Sequence, residues 1–220
     1  MQSPSQRLLL LFLVVVFLVA FFQVGLITIA FDKLGLSPDS AMLLLFALIG
    51  GSWINLPLFK IDAVPPPEGA VPPAFQLWLR SQHQIYPGKT VVAANVGGCL
   101  IPLSFSAYLV VQGAVQPLQA LIATAVVTVV SHALSRPIAG VGIGMPVLVA
   151  PLTAAGVALL LNPQHSAPLA YVGGTLGVIV GADVLHLNDI RKIGSPFASI
   201  GGGGTFDGIF ITGIVAVLLA

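Results

Sequence analysis

The run from Leu8 to Ala30 holds 23 residues, none of them charged, with Gln23 and Thr28 as its polar members. A stretch that long and that apolar belongs in a membrane or at the centre of a very large core. The rest of the chain decides between the two. Charged residues make up 7% of its 220 and hydrophobic residues 57%, whereas a soluble domain carries about 25% charged. So few charges cannot cover a water-facing surface, and lipid must be the solvent for most of this chain. A net charge of +1 without a basic cluster gives no electrostatic footprint for nucleic acid. Cys99 is the one cysteine. It cannot form an internal disulfide, and its apolar neighbours offer nothing to activate the thiol. Arg7 ahead of the first run suggests a signal peptide, but the hydrophobic region of such peptides spans about 7–15 residues and a small-x-small cleavage site should follow. Neither condition is met, so the sequence predicts a retained transmembrane helix.

Apolar runs divide the chain into seven candidate spans, 8–30, 41–58, 91–111, 117–134, 146–161, 168–188 and 206–220. A full span needs about 20 residues, so the second, fifth and seventh are short. "GGSWINLP", "NVGGCLIP" and "GVGIGMP" interrupt their runs with glycine and proline. Glycine serves close helix packing in membranes, but three such stretches together predict at least one broken or re-entrant helix lining a cavity. The expected fold class is therefore all-α: a polytopic integral membrane helical bundle of one domain. With the N-terminus cytoplasmic, Arg7, Lys60, Arg80, Lys89, Arg136, Arg191 and Lys192 fall inside and only Lys33 outside. This is the positive-inside pattern. It predicts an inner (plasma) membrane protein with its C-terminus outside.

The Pro-rich loop at 59–90 is the one sizeable cytoplasmic piece. "DAVPPPEGAVPP" should be extended and polyproline-like. "FQLWLRSQHQIY" is either an ordinary loop helix or an interfacial segment anchored by Trp78 and Tyr86. The sequence shows no internal repeat.

The stretch from Gly181 to Phe210 carries three of the seven acidic residues and four consecutive glycines. Asp183 lies eight residues before Arg191, roughly 12 Å below the inner surface on a helix. Thirteen residues follow Asp207, about 20 Å of helix, against a hydrocarbon core of about 30 Å. Both estimates place a carboxylate some way inside the cytosolic half of the membrane, on adjacent antiparallel helices. The glycines between them, Gly203 and Gly204 included, allow the chain to fold inward, and their amides require protein or water partners. The expectation is a wet pocket floored by Asp183 and Asp207. The inert alternative has Asp207 starting a helix and Asp183 paired with Arg136 or a neighbour. Asn55, Asn95, His132, Arg136 and His186, with Gly203 and Gly204, are further candidate substrate- or ion-binding groups, all toward the same side. Asp183, His186 and Asp207 make at most a partial metal site, so no metal and no cofactor is expected.

The stretches "NVGGCLIP", "RPIAGVGIGMP", "YVGGTLGVIVGADVLHL" and "GGGGTFDGIFITGIVAVLLA" resemble a family of prokaryotic membrane proteins catalogued as domain of unknown function sixteen-fourteen. The likeness covers the chain from about Gly50 onward and implies no established activity. A mechanistic likeness is to the presenilin and signal-peptide-peptidase group and the prepilin peptidases, which place one aspartate on each of two neighbouring membrane helices. That likeness implies a carboxylate pair sharing a proton, one acting as base on a water and the other donating to the scissile carbonyl. Those families carry Gly-x-Gly-Asp at the second aspartate. Gly204-Thr205-Phe206-Asp207 keeps only the first glycine, Pro146-Val147-Leu148 stands where a Pro-Ala-Leu is sought but upstream of both aspartates, and Tyr-Asp is absent.

Two functions follow as expectations. One is an intramembrane aspartyl protease-like hydrolase acting on a transmembrane peptide, with Asp183 and Asp207 catalytic. The other is an ion- or proton-coupled transporter or channel using the same pair. The lipid bilayer is the one certain partner, nucleic acid is not expected, and an oligomer is compatible with the residues.

Overall fold

The computed structural model describes residues 23–64, 88–139, 142–202 and 208–220. The protein is mostly helical and contains strands as well, which corrects the all-α expectation. Helix α1, described from Gln23 to Lys33, turns through 118° into α2, Pro38–Gly51. Strand β1 follows at Asn55–Asp62 and β2 at Lys89–Asn95. A π-turn, Val96–Leu100, leads into α3, Ile101–Val111, and α4 spans Pro117–Leu134. The short strands β3, Arg136–Ile138, and β4, Gly142–Gly144, form a hairpin before α5, Val149–Leu161. A single 3₁₀ turn, Pro163–His165, opens α6, Ser166–Val178, which ends in a second π-turn, Ile179–Val184. Helix α7, Leu187–Ile193, strand β5, Phe197–Ile200, and α8, Gly208–Leu219, complete the chain.

Among the described residues two helices are long and apolar enough to cross a membrane, Pro117–Leu134 and Pro163–Val184, and a third crossing follows if the bent pair α1 and α2 counts as one. The predicted span 117–134 coincides with α4. The span predicted at 41–58 stops as helix at Gly51, and that at 91–111 begins as strand. The loop expected at 59–90 is shortened at both ends, because β1 runs to Asp62 and β2 starts at Lys89. An unbroken apolar run does not distinguish a buried strand from a helix, and pairing between distant segments made the choice. The first span lies outside the described residues up to position 22, as do Trp78 and Tyr86.

Helix α6 is the axis of the bundle, packed against α3, α4, α5 and α8. Of its apolar window 72% is buried, against 22% for α4, so α6 is encased and α4 turns a broad apolar face outward. Small residues make this possible. Gly173, Gly177 and Gly181 recur every fourth residue on α6 and face Ala123, Val127 and Thr128 of α4. A Cβ on Gly177 would stand 2.5 Å from that of Val127. Without a hydrophobic driving force between helices in lipid, such close approach is what gains dispersion energy.

The two ends of the bundle differ. At one end Lys33 Nζ donates to the carbonyls of Val217 and Leu218 at 3.3 Å, Ser166 Oγ donates to the Ala220 carbonyl at 2.8 Å, and Asn162 Nδ2 donates to Gln119 Oε1 at 3.2 Å. At the other end β1, β2 and β5 form a mixed sheet in the order β1-β2-β5, β1 antiparallel and β5 parallel to β2. Lys60, Lys89, Arg136, Arg191 and Lys192 all sit on elements of this second end.

Candidate functional site

Asp183 stands on the π-turn that ends α6. A π-turn displaces the hydrogen-bond ladder by one residue and leaves a carbonyl without its usual donor. Here Leu185 N donates to Val180 O at 2.9 Å and His186 N to Asp183 O at 3.3 Å, so the Gly181 carbonyl is passed over by both. The His186 ring takes it up, with Nδ1 3.0 Å from Gly181 O. Because a carbonyl only accepts, Nδ1 carries the proton. His186 is 5% exposed and its ring lies against that of His132, centroids 4.4 Å apart. His186 therefore closes the turn that presents Asp183, while His132 and Arg136 are exposed at the end of α4 and in β3.

The half-buried Asp183 lines a cavity of about 250 Å³. One wall is β5 with Gly201 and Gly202 after it. Gly142 and Ile143 of β4 and the α7 residues Ile190 and Ile193 also line it. Asp183 Oδ2 accepts the amide of Gly201 at 3.1 Å. Gly201 has φ +67°, and a Cβ there would stand 2.5 Å from the Gly98 carbonyl carbon, so only glycine fits this turn. Gly98 answers from the other side, where a Cβ would fall on the Gly201 carbonyl oxygen. Two backbones thus cross in contact beside the carboxylate.

Asn95 fixes this crossing from below. It is 2% exposed. Its Oδ1 accepts the Gly98 amide at 2.7 Å, which caps the π-turn before α3, and its Nδ2 donates to Ser52 O at 2.8 Å and to Asn55 Oδ1 at 3.0 Å. Asn55 Oδ1 also accepts from Ser199 Oγ at 2.6 Å. The two asparagines hold all three strands together instead of pointing into the cavity, which neither lines. The interruptions read as helix breaks have the same explanation. "GGSWINLP" is a helix end entering β1, "NVGGCLIP" a strand end entering α3, and "GVGIGMP" contains β4.

Asp207, Gly203 and Gly204 lie outside the described residues. Asp189 sits in the first turn of α7 and pairs with Lys192 at 3.4 Å. Among the described residues no three His, Cys, Asp or Glu side chains cluster to hold a metal. Residues with no obvious sequence signal complete the cavity, namely Ser195, the β5 backbone and Gly142–Ile143. "SPFASI" is too short for its period to stand out.

The model of the family described as protein of unknown function (DUF1614) matches residues 49–219. The chain belongs to this family. Its match begins at the end of α2 and takes in the sheet, the encased helix α6 and every residue lining the cavity. No curated protein and no solved structure matches the chain.

Proposed function

We propose that this family member is an intramembrane aspartyl hydrolase, cutting a peptide bond at the cytosolic side of the bilayer with Asp183 and Asp207 as the catalytic pair. The observation that carries the reading is the position of Asp183, a half-buried carboxylate at the end of an encased membrane helix, facing a cavity bounded by exposed backbone. An ionisable group at such depth is a functional group by default. Gly202 is the last described residue before α8 that lines the cavity, and Asp207 follows it five positions on in the sequence, directly before α8. In the proposed reaction one carboxylate takes a proton from water as it attacks the scissile carbonyl. The other, protonated, donates a hydrogen bond to the carbonyl oxygen; the tetrahedral intermediate then collapses as the C–N bond breaks, and the proton taken from water passes to the leaving amine.

The proposed topology has seven passes, by α1, α2, α3, α4, α5, α6 and α8, with the sheet end cytosolic. Its support is the segregation of Lys60, Lys89, Arg136, Arg191 and Lys192 to that end and of Lys33 to the opposite one. Helix α8 has 12 residues, about 18 Å, so part of the 30 Å hydrocarbon thickness would be occupied by the sheet and its glycine turns. That would put the cavity below the surface, reached by water from the cytosol.

The test is cleavage of a reporter transmembrane substrate by the purified protein in lipid. Asp183→Asn and Asp207→Asn should each abolish cleavage while the protein remains folded. A wild type that cuts no such reporter, but whose two variants alter ion flux in liposomes, would replace this reading with the second one, an ion- or proton-coupled transporter. The same half-buried carboxylate on a π-turn favours that alternative.

A further inference from the structure

The two edges of the three-stranded sheet are built differently. The β1 edge carries Pro57, a register shift between Pro57 and Phe59, and Lys60. A proline, a bulge and a lysine are the devices by which edge strands refuse another strand. The β5 edge has none of them and lines the cavity along its whole length.

The pairing register says which β5 groups are open. Val91 N donates to Pro196 O, and Val91 stands opposite Phe197 in a parallel ladder. In such a ladder alternate residues direct both backbone groups at the partner. Ala198 and Ile200 therefore face β2, and Phe197, Ser199 and Gly201 face the other way. Two of the outward carbonyls are taken up locally, that of Phe197 by Ser195 Oγ at 2.7 Å and that of Ser199 by Gly202 N at 3.1 Å. The Ser199 N–H has no acceptor among the described residues. The next outward amide, Gly201 N–H, is the one that meets Asp183 Oδ2. The carboxylate oxygen thus occupies the place that a carbonyl oxygen of an added strand would take at the following rung.

We infer that the β5 edge is the docking site for an extended polypeptide segment, which pairs through the Ser199 amide and is led by its own extended geometry to Asp183. This rests on the hydrolase reading for the fate of the bound peptide. It adds that the substrate must unwind to a strand before it is cut. Main-chain pairing of this kind gives affinity with little dependence on side chains, and the apolar Ile143, Ile190 and Ile193 beside it favour apolar residues in the bound segment.

The experiment uses the full chain in lipid nanodiscs and a valine-rich peptide bearing a photoreactive side chain and a fluorophore. Light should cross-link it to residues 197–201. Replacing one peptide carbonyl by a methylene should weaken binding about tenfold, the worth of one well-made hydrogen bond, at a position of the parity that faces the Ser199 amide, and at the other parity should leave it unchanged. Ser199→Pro, which deletes the open N–H, should abolish binding, whereas Ser199→Ala should retain it. The parity test on the wild type stands alone if Ser199→Pro does not fold. Equal effects at both parities, cross-links elsewhere, or no binding would overturn the inference. Asp183→Asn keeps an acceptor for Gly201 and should still bind. Parity-dependent binding without hydrolysis would support the docking site and sink the hydrolase reading. Hydrolysis without parity dependence would do the reverse.

Discussion

The opposite ends of the helical bundle solve the same problem in different ways. At the Lys33 end, helix termini expose unpaired carbonyls, and single polar side chains cap them: Lys33 on Val217 and Leu218, Ser166 on Ala220. The hydrogen bonds of each cap go to the end of one helix. At the sheet end the helices α2 and α6 stop short, and strands, π-turns and crossing glycines take over. There Asn95 and Asn55 serve several segments at once, and a cavity lies beside the strands they join. The lesson is that closing a helix end needs only a cap, whereas holding a carboxylate beside open backbone needs irregular chain fixed from many sides.

The strongest challenge to this contrast is Gly98→Ala. The added methyl meets backbone at Gly201, not a side chain that can move, so the crossing beside Asp183 must separate. We expect a loss of about 3 kcal/mol, at the upper end of overpacking costs, read as a lowered thermal midpoint in detergent. A variant as stable as wild type would show that the crossing is not tightly held. Asn95→Ala comes next. It strands the Gly98 amide and the Ser52 carbonyl and releases Asn55, and leaving buried groups unsatisfied costs about 2 kcal/mol. Hydrogen exchange should rise in β1 and β5 together, and a change confined to β2 would break the claim that one side chain ties three strands. The smallest effect belongs to Lys33→Met. A cation at a helix C-terminus contributes about 0.3–1 kcal/mol, so stability should fall by less than about 1 kcal/mol, with exchange at Gly201 unchanged. A shift there would mean that the ends are coupled and the contrast too simple.

Much of the helical skeleton is legible in the sequence. The span 117–134 has the bounds of α4, and those at 146–161 and 206–220 enclose α5 and α8, because length, apolarity and proline at a helix start are local signals. The strands are not legible. "TVVAAN" reads as the start of a membrane run, yet it is β2, since its partners lie about 30 and 100 residues away in sequence and no local period reveals them. The site is legible in part. Asp183 stands out as a carboxylate in an apolar run, and the adjacent glycines mark irregular backbone. That His186 closes the turn and Asn95 braces the crossing could not be read from residue type alone, because a buried polar side chain is equally suited to bracing or to binding.

The amino-acid order alone determined that this chain forms apolar helices suited to a membrane, and that a carboxylate is carried into an apolar run. These depend on composition and on near neighbours. Only the tertiary structure decided that α6 is encased while α4 is not, that three distant strands meet in a sheet with one blunted and one open edge, and that the open edge ends at Asp183. The physical reason is that burial and strand pairing are settled by which segments come together. Solvent preference is set residue by residue, but partners are chosen only when the whole chain packs.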